Sequence, residues 1–192
     1  MSDTWLPTCA IPLEGFRSRK AAQICAFFSV KAPGGGIEKL KLIKLVYLSE
    51  RSFIGQHRVP MLFDELYSLP HGPICSSTLN GIDGVTDDAV WSEYIARNGN
   101  VVVGVKKFTR DDFDEISDAE IEVLDVIWHD LGHMTASQLR NYSHDNCAEY
   151  TDTERKRIPI AYSDILRALG MSDADEFDRE IQDYRHMETV LS

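Results

Sequence analysis

Residues 39–74 read KLKLIKLVYLSERSFIGQHRVPMLFDELYSLPHGPI, and this stretch decides the fold. Its first half has a helical pattern that spans about 37–54. Leu42, Ile43, Leu45, Val46, Tyr47 and Leu48 make that helix apolar nearly all round, which places it centrally in a core. Lys39, Lys41, Lys44, Glu50 and Arg51 must then leave the core along one polar strip or by snorkelling. Residues 59–67 are apolar and follow a basic stretch, the pattern of an extended segment. Pro70, Gly72 and Pro73 close the stretch with a turn. A short helix is expected beyond it, over about 74–79.

Working outward, residues 17–30 (RSRKAAQICAFFSV) carry apolar residues at helical spacing and precede Pro33 and Gly34-Gly35-Gly36. That glycine run lacks both the GxxxxGK[ST] pattern and the preceding strand of a phosphate loop, so it reads as a linker. In 91–105, the runs WSEYIA and VVVGV flank Asn98-Gly99, the preferred dipeptide of a tight type I′ hairpin. Capping boxes at Ser117–Glu120 and Thr135–Gln138 mark two helix starts, the first helix ending near Gly132. Two more helices are expected over 160–169 and 173–190, separated by Gly170. The fold class is a mostly helical α+β: five to seven helices around the 37–54 helix, with a small antiparallel sheet containing the 91–105 hairpin. The expected organisation is an N-terminal extension over 1–16, one domain over 17–170 and an acidic C-terminal helix over 171–192.

A hydrophobic content of 43% in 192 residues gives one domain a full core and excludes a disordered chain. No stretch approaches the roughly 18 apolar residues that span a bilayer. The start, MSDTWLPTCAIPLEGFRSRK, lacks the basic and long apolar regions of a signal peptide. A cytoplasmic protein without a membrane partner is expected. Cys9, Cys25, Cys75 and Cys147 are scattered, as free thiols in a reducing compartment would be. Charge is divided unevenly. Residues 1–110 carry +3 and residues 111–192 carry −14. Such a C-terminal half disfavours nucleic acid, is well solvated, and would steer a basic partner toward itself.

Catalytic and metal patterns are weak. His129 and His133 are four apart, with His144 and Cys147 further on, but HDLGH lacks the glutamate of HExxH and Gly132 interrupts the helix. His71 and Cys75 share that spacing without a third ligand nearby in sequence. Cys147 and His144 have no nucleophile motif around them, and Asp111-Asp112 and Asp114-Glu115 read as charge ahead of a helix. Neither an enzyme nor a cofactor is expected.

Three sequence blocks carry a family resemblance. The helix Lys41-Leu42-Ile43-Lys44-Leu45-Val46-Tyr47 comes first, then Leu62-Phe63-Asp64-Glu65, then Pro70-His71-Gly72-Pro73-Ile74. A later helical segment contributes Leu139 and Ser143-His144. In order and spacing these resemble the Panacea domain, the SocA-like antitoxin family of bacteria and their phages, over roughly 20–170. Leu69 stands where that family usually has an aromatic and His71 where it often has Tyr. The Trp it tends to place after the His has no counterpart near Cys147.

The resemblance implies an antitoxin that neutralises a co-encoded toxin protein by direct contact, with delivery of the toxin to a protease as a further role. Its motif residues are Lys41, Lys44, Tyr47, Phe63, Asp64, Pro70, His71, Gly72, Pro73 and His144. Of these, Tyr47, Phe63 and Pro73 are of types usually spent on core and turn. A partner surface is expected on the polar side of the 37–54 helix, the 64–73 segment and the acidic C-terminal helices. Lys44, Arg51, Asp64, Glu65, Tyr67 and His71 are its candidate contacts. The alternatives are a phage-associated regulatory adaptor of the same fold without a toxin, and a metal-dependent hydrolase built on His129, His133 and His144.

Overall fold

In a computed structural model, residues 15–86 and 89–191 are described, with side chains to Tyr184. Most of the extension expected over 1–16, and Cys9 within it, lies outside the described residues. The chain opens with α1 (Ser18–Lys31), a single 3₁₀ turn at Pro33–Gly35, β1 (Gly36–Glu38) and α2 (Lys39–His57). There follow β2 (Leu66–Leu69), β3 (Gly72–Cys75), α3 (Ser76–Asp83), α4 (Val90–Tyr94), β4 (Ile95–Asn98) and β5 (Val101–Gly104). The C-terminal half is α5 (Asp118–Leu131), α6 (Ala136–Asn146), β6 (Ile158–Ile160), α7 (Tyr162–Ala168) and α8 (Ala174–Leu191).

The architecture is a mostly helical α+β fold with two antiparallel three-stranded sheets, ordered β1-β5-β4 and β3-β2-β6. Val102 sits in the middle of the first, opposite Ile37 and Arg97; Tyr67 sits in the middle of the second, opposite Ile74 and Pro159. Helix α2 runs through the centre and packs on α1, β3, α5, α6 and α7. Its Leu42, Leu45, Val46, Tyr47 and Ile54 have no exposed surface, as the apolar girth of the sequence requires. Both capping boxes form. Ser117 and Thr135 each accept the N–H three residues on, and Glu120 and Gln138 return the bond.

Several local expectations are corrected. Lys44 and Glu50 do not leave the core, for both have zero exposure. Glu50 accepts the backbone amides of Met61 (2.9 Å) and Leu62 (3.3 Å), and burial pushes its carboxyl up to about 8 against the opposing effect of those amides. Those bonds also explain why 59–67 is not one extended run: its amides turn inward to a carboxylate, Phe63 adopts a left-handed φ of +52°, and pairing begins only at Leu66. The helix expected at 74–79 starts later, at Ser76, because Ile74 and Cys75 complete β3.

In the run WSEYIA, Trp91 and Tyr94 are buried three residues apart, so a helical turn forms and only Ile95 onward is strand. The Trp91 ring lies where a Cβ on Gly81 would be, which locks α4 onto α3. The hairpin loop is Gly99-Asn100, since Asn98 pairs with Val101. Only Gly99 of the two has positive φ (+60°), the sign pattern of a type II′ turn with glycine first. The 160–169 segment likewise opens as a strand, β6, before α7 begins at Tyr162.

Two further ties hold the N-terminal helix. The Lys20 ammonium meets Glu120 at 2.7 Å with both side chains almost wholly buried, which joins α1 to the capping box of α5. Gln23, fully buried, donates to Tyr94 and Asp114 and accepts the Glu115 amide, so each end of its carboxamide is engaged. At the other end of the chain, α8 buries Ala174, Phe177 and Ile181.

Candidate functional site

Lys41, Lys44 and Tyr47 occur at i, i+3 and i+6 on α2, and each fastens the helix to a different later element. Lys41 donates to the carbonyl of Gly132 (2.5 Å) at the C-terminus of α5, where a cation complements the helix dipole. Lys44 donates to the carbonyl of Pro73 (2.7 Å) in β3. Tyr47 donates to Glu149 (2.7 Å), beyond α6. The Glu149 side chain has no exposed surface and also receives Arg51 in a two-pronged pair, Nε to Oε1 at 2.7 Å and NH2 to Oε2 at 3.2 Å.

The Gly-Pro corner sits against this row. Gly72 has φ +92°, and a Cβ there would lie 2.9 Å from Lys44 Nζ, 2.9 Å from Ser143 Oγ and 3.1 Å from the His144 ring. The corner can therefore close only on glycine. His144 packs against Tyr150 in a tilted ring pair with centroids 4.4 Å apart, and Tyr150 donates to the carbonyl of Leu69 (3.1 Å) at the end of β2. Burial draws the Lys44 ammonium down to about 7; burial, then Arg140 and Lys44, lowers His144. His144 Nε2 is buried and has no hydrogen-bond partner among the described residues.

Asp64 is another internal fastener. Its carboxylate accepts the amides of Ser77 (2.7 Å) and Thr78 (2.8 Å) and the Thr78 hydroxyl (2.7 Å), capping α3 from twelve residues upstream of its start. Burial raises its carboxyl and those hydrogen bonds oppose the rise. Its own carbonyl accepts from Tyr162 (2.7 Å) in α7. Phe63 stacks on Tyr184 and lies beneath Arg17. Tyr67 is buried under the Arg157 guanidinium, 3.6 Å from its ring centroid, and Glu65 faces the same arginine at 3.9 Å.

The motif residues Lys44, Tyr47, Gly72, Pro73 and His144 thus converge on one buttress, while Lys41, Phe63 and Asp64 fasten other joints. Of the candidate contacts, Lys44 and Asp64 are fully buried, so this fold offers no atom of either side chain to a partner's surface; both desolvated groups are held by internal hydrogen bonds. Tyr67 is nearly as enclosed. His71 is exposed with Pro70 at the tip of the corner, Glu65 is partly exposed and Arg51 shows a narrow edge. Glu149 and Tyr150 were not legible: they lie 102 and 81 residues from Tyr47 and Leu69, their partners, and no local pattern marks them.

The histidines expected as an alternative metal cluster do not assemble. His133 lies past the end of α5, His144 faces Tyr150, and among the described residues no three His, Cys, Asp or Glu come together to hold a metal ion. Cys25, Cys75 and Cys147 are free and buried. Burial raises all three thiols, Cys147 to about 12, which suppresses the reactive thiolate. No helix among the described residues is long and apolar enough to cross a membrane.

Residues 42–149, more than half of the chain, match the family described as Antitoxin SocA-like, Panacea domain. No curated protein and no solved structure matches the chain. The matched span runs from α2, one residue past Lys41, to Glu149, the acceptor of Tyr47 and Arg51, and the chain belongs to the SocA-like antitoxin family.

Proposed function

We propose that the protein is the antitoxin of a toxin–antitoxin pair and neutralises a co-encoded toxin protein by direct binding. The observation that supports this reading is the family match over 42–149, taken together with what its motif residues do. Lys41, Lys44, Tyr47, Asp64 and Gly72 are committed to internal bonds and a tight corner, so they build a scaffold. Recognition then falls to the surface that scaffold carries, which is free to differ from one partner to the next. The role is binding, with no turnover.

The test is growth on induction of the gene adjacent to this one, with and without this protein, followed by co-purification. Arrested growth with the neighbour alone, restored when this protein is present and co-elutes with it, is the expected result. A harmless neighbour, or two products that never associate, would overturn the assignment.

A further inference from the structure

A groove of about 530 Å³ opens along the C-terminal half of α2, from Leu48 to Gln56, walled by α5, α6 and the turn after α7. Leu48, Ile127, Leu131, Leu169 and Met171 give it an apolar lining. Its polar edge comes from Ser52 and Gln56 on α2 and from Asn146 on α6. Gly55 sets the width: a Cβ there would meet Leu169 Cδ1 at 2.8 Å, so glycine lets that wall settle against the helix backbone. Leu169 in the lining is itself 37% exposed, and Val126, next to lining residue Ile127 in sequence, is 54% exposed. Exposed apolar surface that adjoins a lined groove marks an interaction site more often than isolated exposed residues do.

The lining itself selects the form of the occupant. Every lining residue belongs to a helix or to a helix-end turn, so no strand edge is offered for backbone pairing. Recognition must proceed by side chains entering between helices, the mode in which an amphipathic helix lays its apolar face into a groove. Charge selects the rest. Arg51, the one basic side chain in the lining, is already neutralised by the buried Glu149. Asp130 adjoins Leu131 and Asp145 adjoins Asn146, both exposed carboxylates beside lining positions. Among the described residues neither forms an ion pair with a lysine or arginine, and Asp145 interacts electrostatically with His144. Residues 111–192, which supply three of the groove's walls, carry a balance of −14.

We propose that this groove is the surface that receives the toxin, through one amphipathic helix of the toxin whose apolar side chains enter it and whose lysines or arginines meet Asp130 and Asp145. This rests on the antitoxin reading above and specifies where its contact lies. The tie from Tyr47 and Arg51 to Glu149 stands directly behind the groove, so the family scaffold and the contact surface are parts of one construction.

The test measures the affinity of the purified product of the adjacent gene for this protein and three folded variants. Gln56→Trp fills the groove from its exposed edge, Asp130→Lys with Asp145→Lys reverses the rim charge, and Val105→Ser on the hairpin side serves as control. The first two are expected to weaken binding by at least about tenfold, as loss of an interface anchor does. The charge reversal is also expected to flatten the dependence on salt, and the control to leave binding unchanged. Full-strength binding by both groove variants would overturn the groove while leaving the antitoxin reading standing. Failure of the unmodified protein to bind the neighbour's product would remove the antitoxin reading and this surface with it. Thermal unfolding verifies that each variant is folded; if Gln56→Trp melts early, the charge reversal decides.

Discussion

Lys44 reaches from the middle of α2 to the carbonyl of Pro73, 2.7 Å away, and so joins the central helix to the Gly-Pro corner through a group that has no exposed surface. Burying an ammonium is costly, and the cost appears as a pKa drawn down to about 7 by desolvation. Nearby, Arg140 pushes in the same direction. Desolvation therefore favours the neutral amine, although the ammonium would be the stronger donor to that carbonyl.

Stability should depend on pH through this residue. In the folded protein Lys44 titrates near 7 instead of its ordinary 10.5, so between those values the unfolded chain binds the extra proton. Folding is then favoured as pH rises through that window, with a slope of up to about 1.4 kcal/mol per pH unit, and the benefit is lost as pH falls toward 7. Lys44→Met removes the titration. Urea midpoints at pH 7, 8 and 9 should show the unmodified protein gaining on the variant with each step. Parallel profiles would refute the assignment of this shift to Lys44.

Gly72 and Gly34 separate backbone strain from crowding. Both have positive φ, +92° and +78°, but a Cβ at Gly34 meets nothing within 4 Å, whereas one at Gly72 meets Lys44, Ser143 and His144. Gly34→Ala should cost about 1–2 kcal/mol, the penalty of a left-handed alanine. Gly72→Ala should cost a further ~1–3 kcal/mol for overpacking. Equal losses in chemical denaturation would show that the corner can shift to admit a methyl group.

What was legible in the sequence follows from the range of the interactions. Helix α2 could be read because its burial is written along one contiguous run, and the α5 and α6 starts because a capping box closes within four residues. The second sheet was missed because β6 joins β2 across about ninety residues, with Pro159 in the short strand. The burial of Lys44 and Glu50 was misjudged for a related reason. Their partners, the Pro73 carbonyl and the Met61 and Leu62 amides, are backbone groups whose position no side-chain pattern records. In the buttress, Lys44, Tyr47, the corner and His144 were legible as motif residues, while Glu149 and Tyr150, which complete it, were not.

Glu50 holds the chain where 59–67 turns inward. Glu50→Ala leaves the Met61 and Leu62 amides buried without an acceptor and should cost roughly 2–5 kcal/mol. Glu50→Gln keeps one acceptor oxygen but sets an NH2 against an N–H, so its loss should be intermediate. Hydrogen exchange at the two amides reports the mechanism directly. Both should be protected in the unmodified protein and exchange faster in the alanine variant; unchanged protection would mean that other acceptors hold them.

Lys20 and Glu120 should behave as a coupled unit. The pair is buried at 2.7 Å, and the second oxygen of Glu120 is engaged by the amide and hydroxyl of Ser117, so the carboxylate serves a salt bridge and a helix cap together. Lys20→Met strands a carboxylate in the interior and should cost about 3–5 kcal/mol. Glu120→Gln keeps an N3 side chain competent for the capping box but strands the ammonium, at a similar cost. The double substitution leaves neither charge buried, so its loss should fall well short of the sum, with a coupling energy above ~1 kcal/mol in a double-mutant cycle. Additive losses would mean that the two charges are stabilised separately, and that α1 is held to α5 by its other contacts, the Phe28–Trp128 ring contact and the Lys31–Asp125 pair.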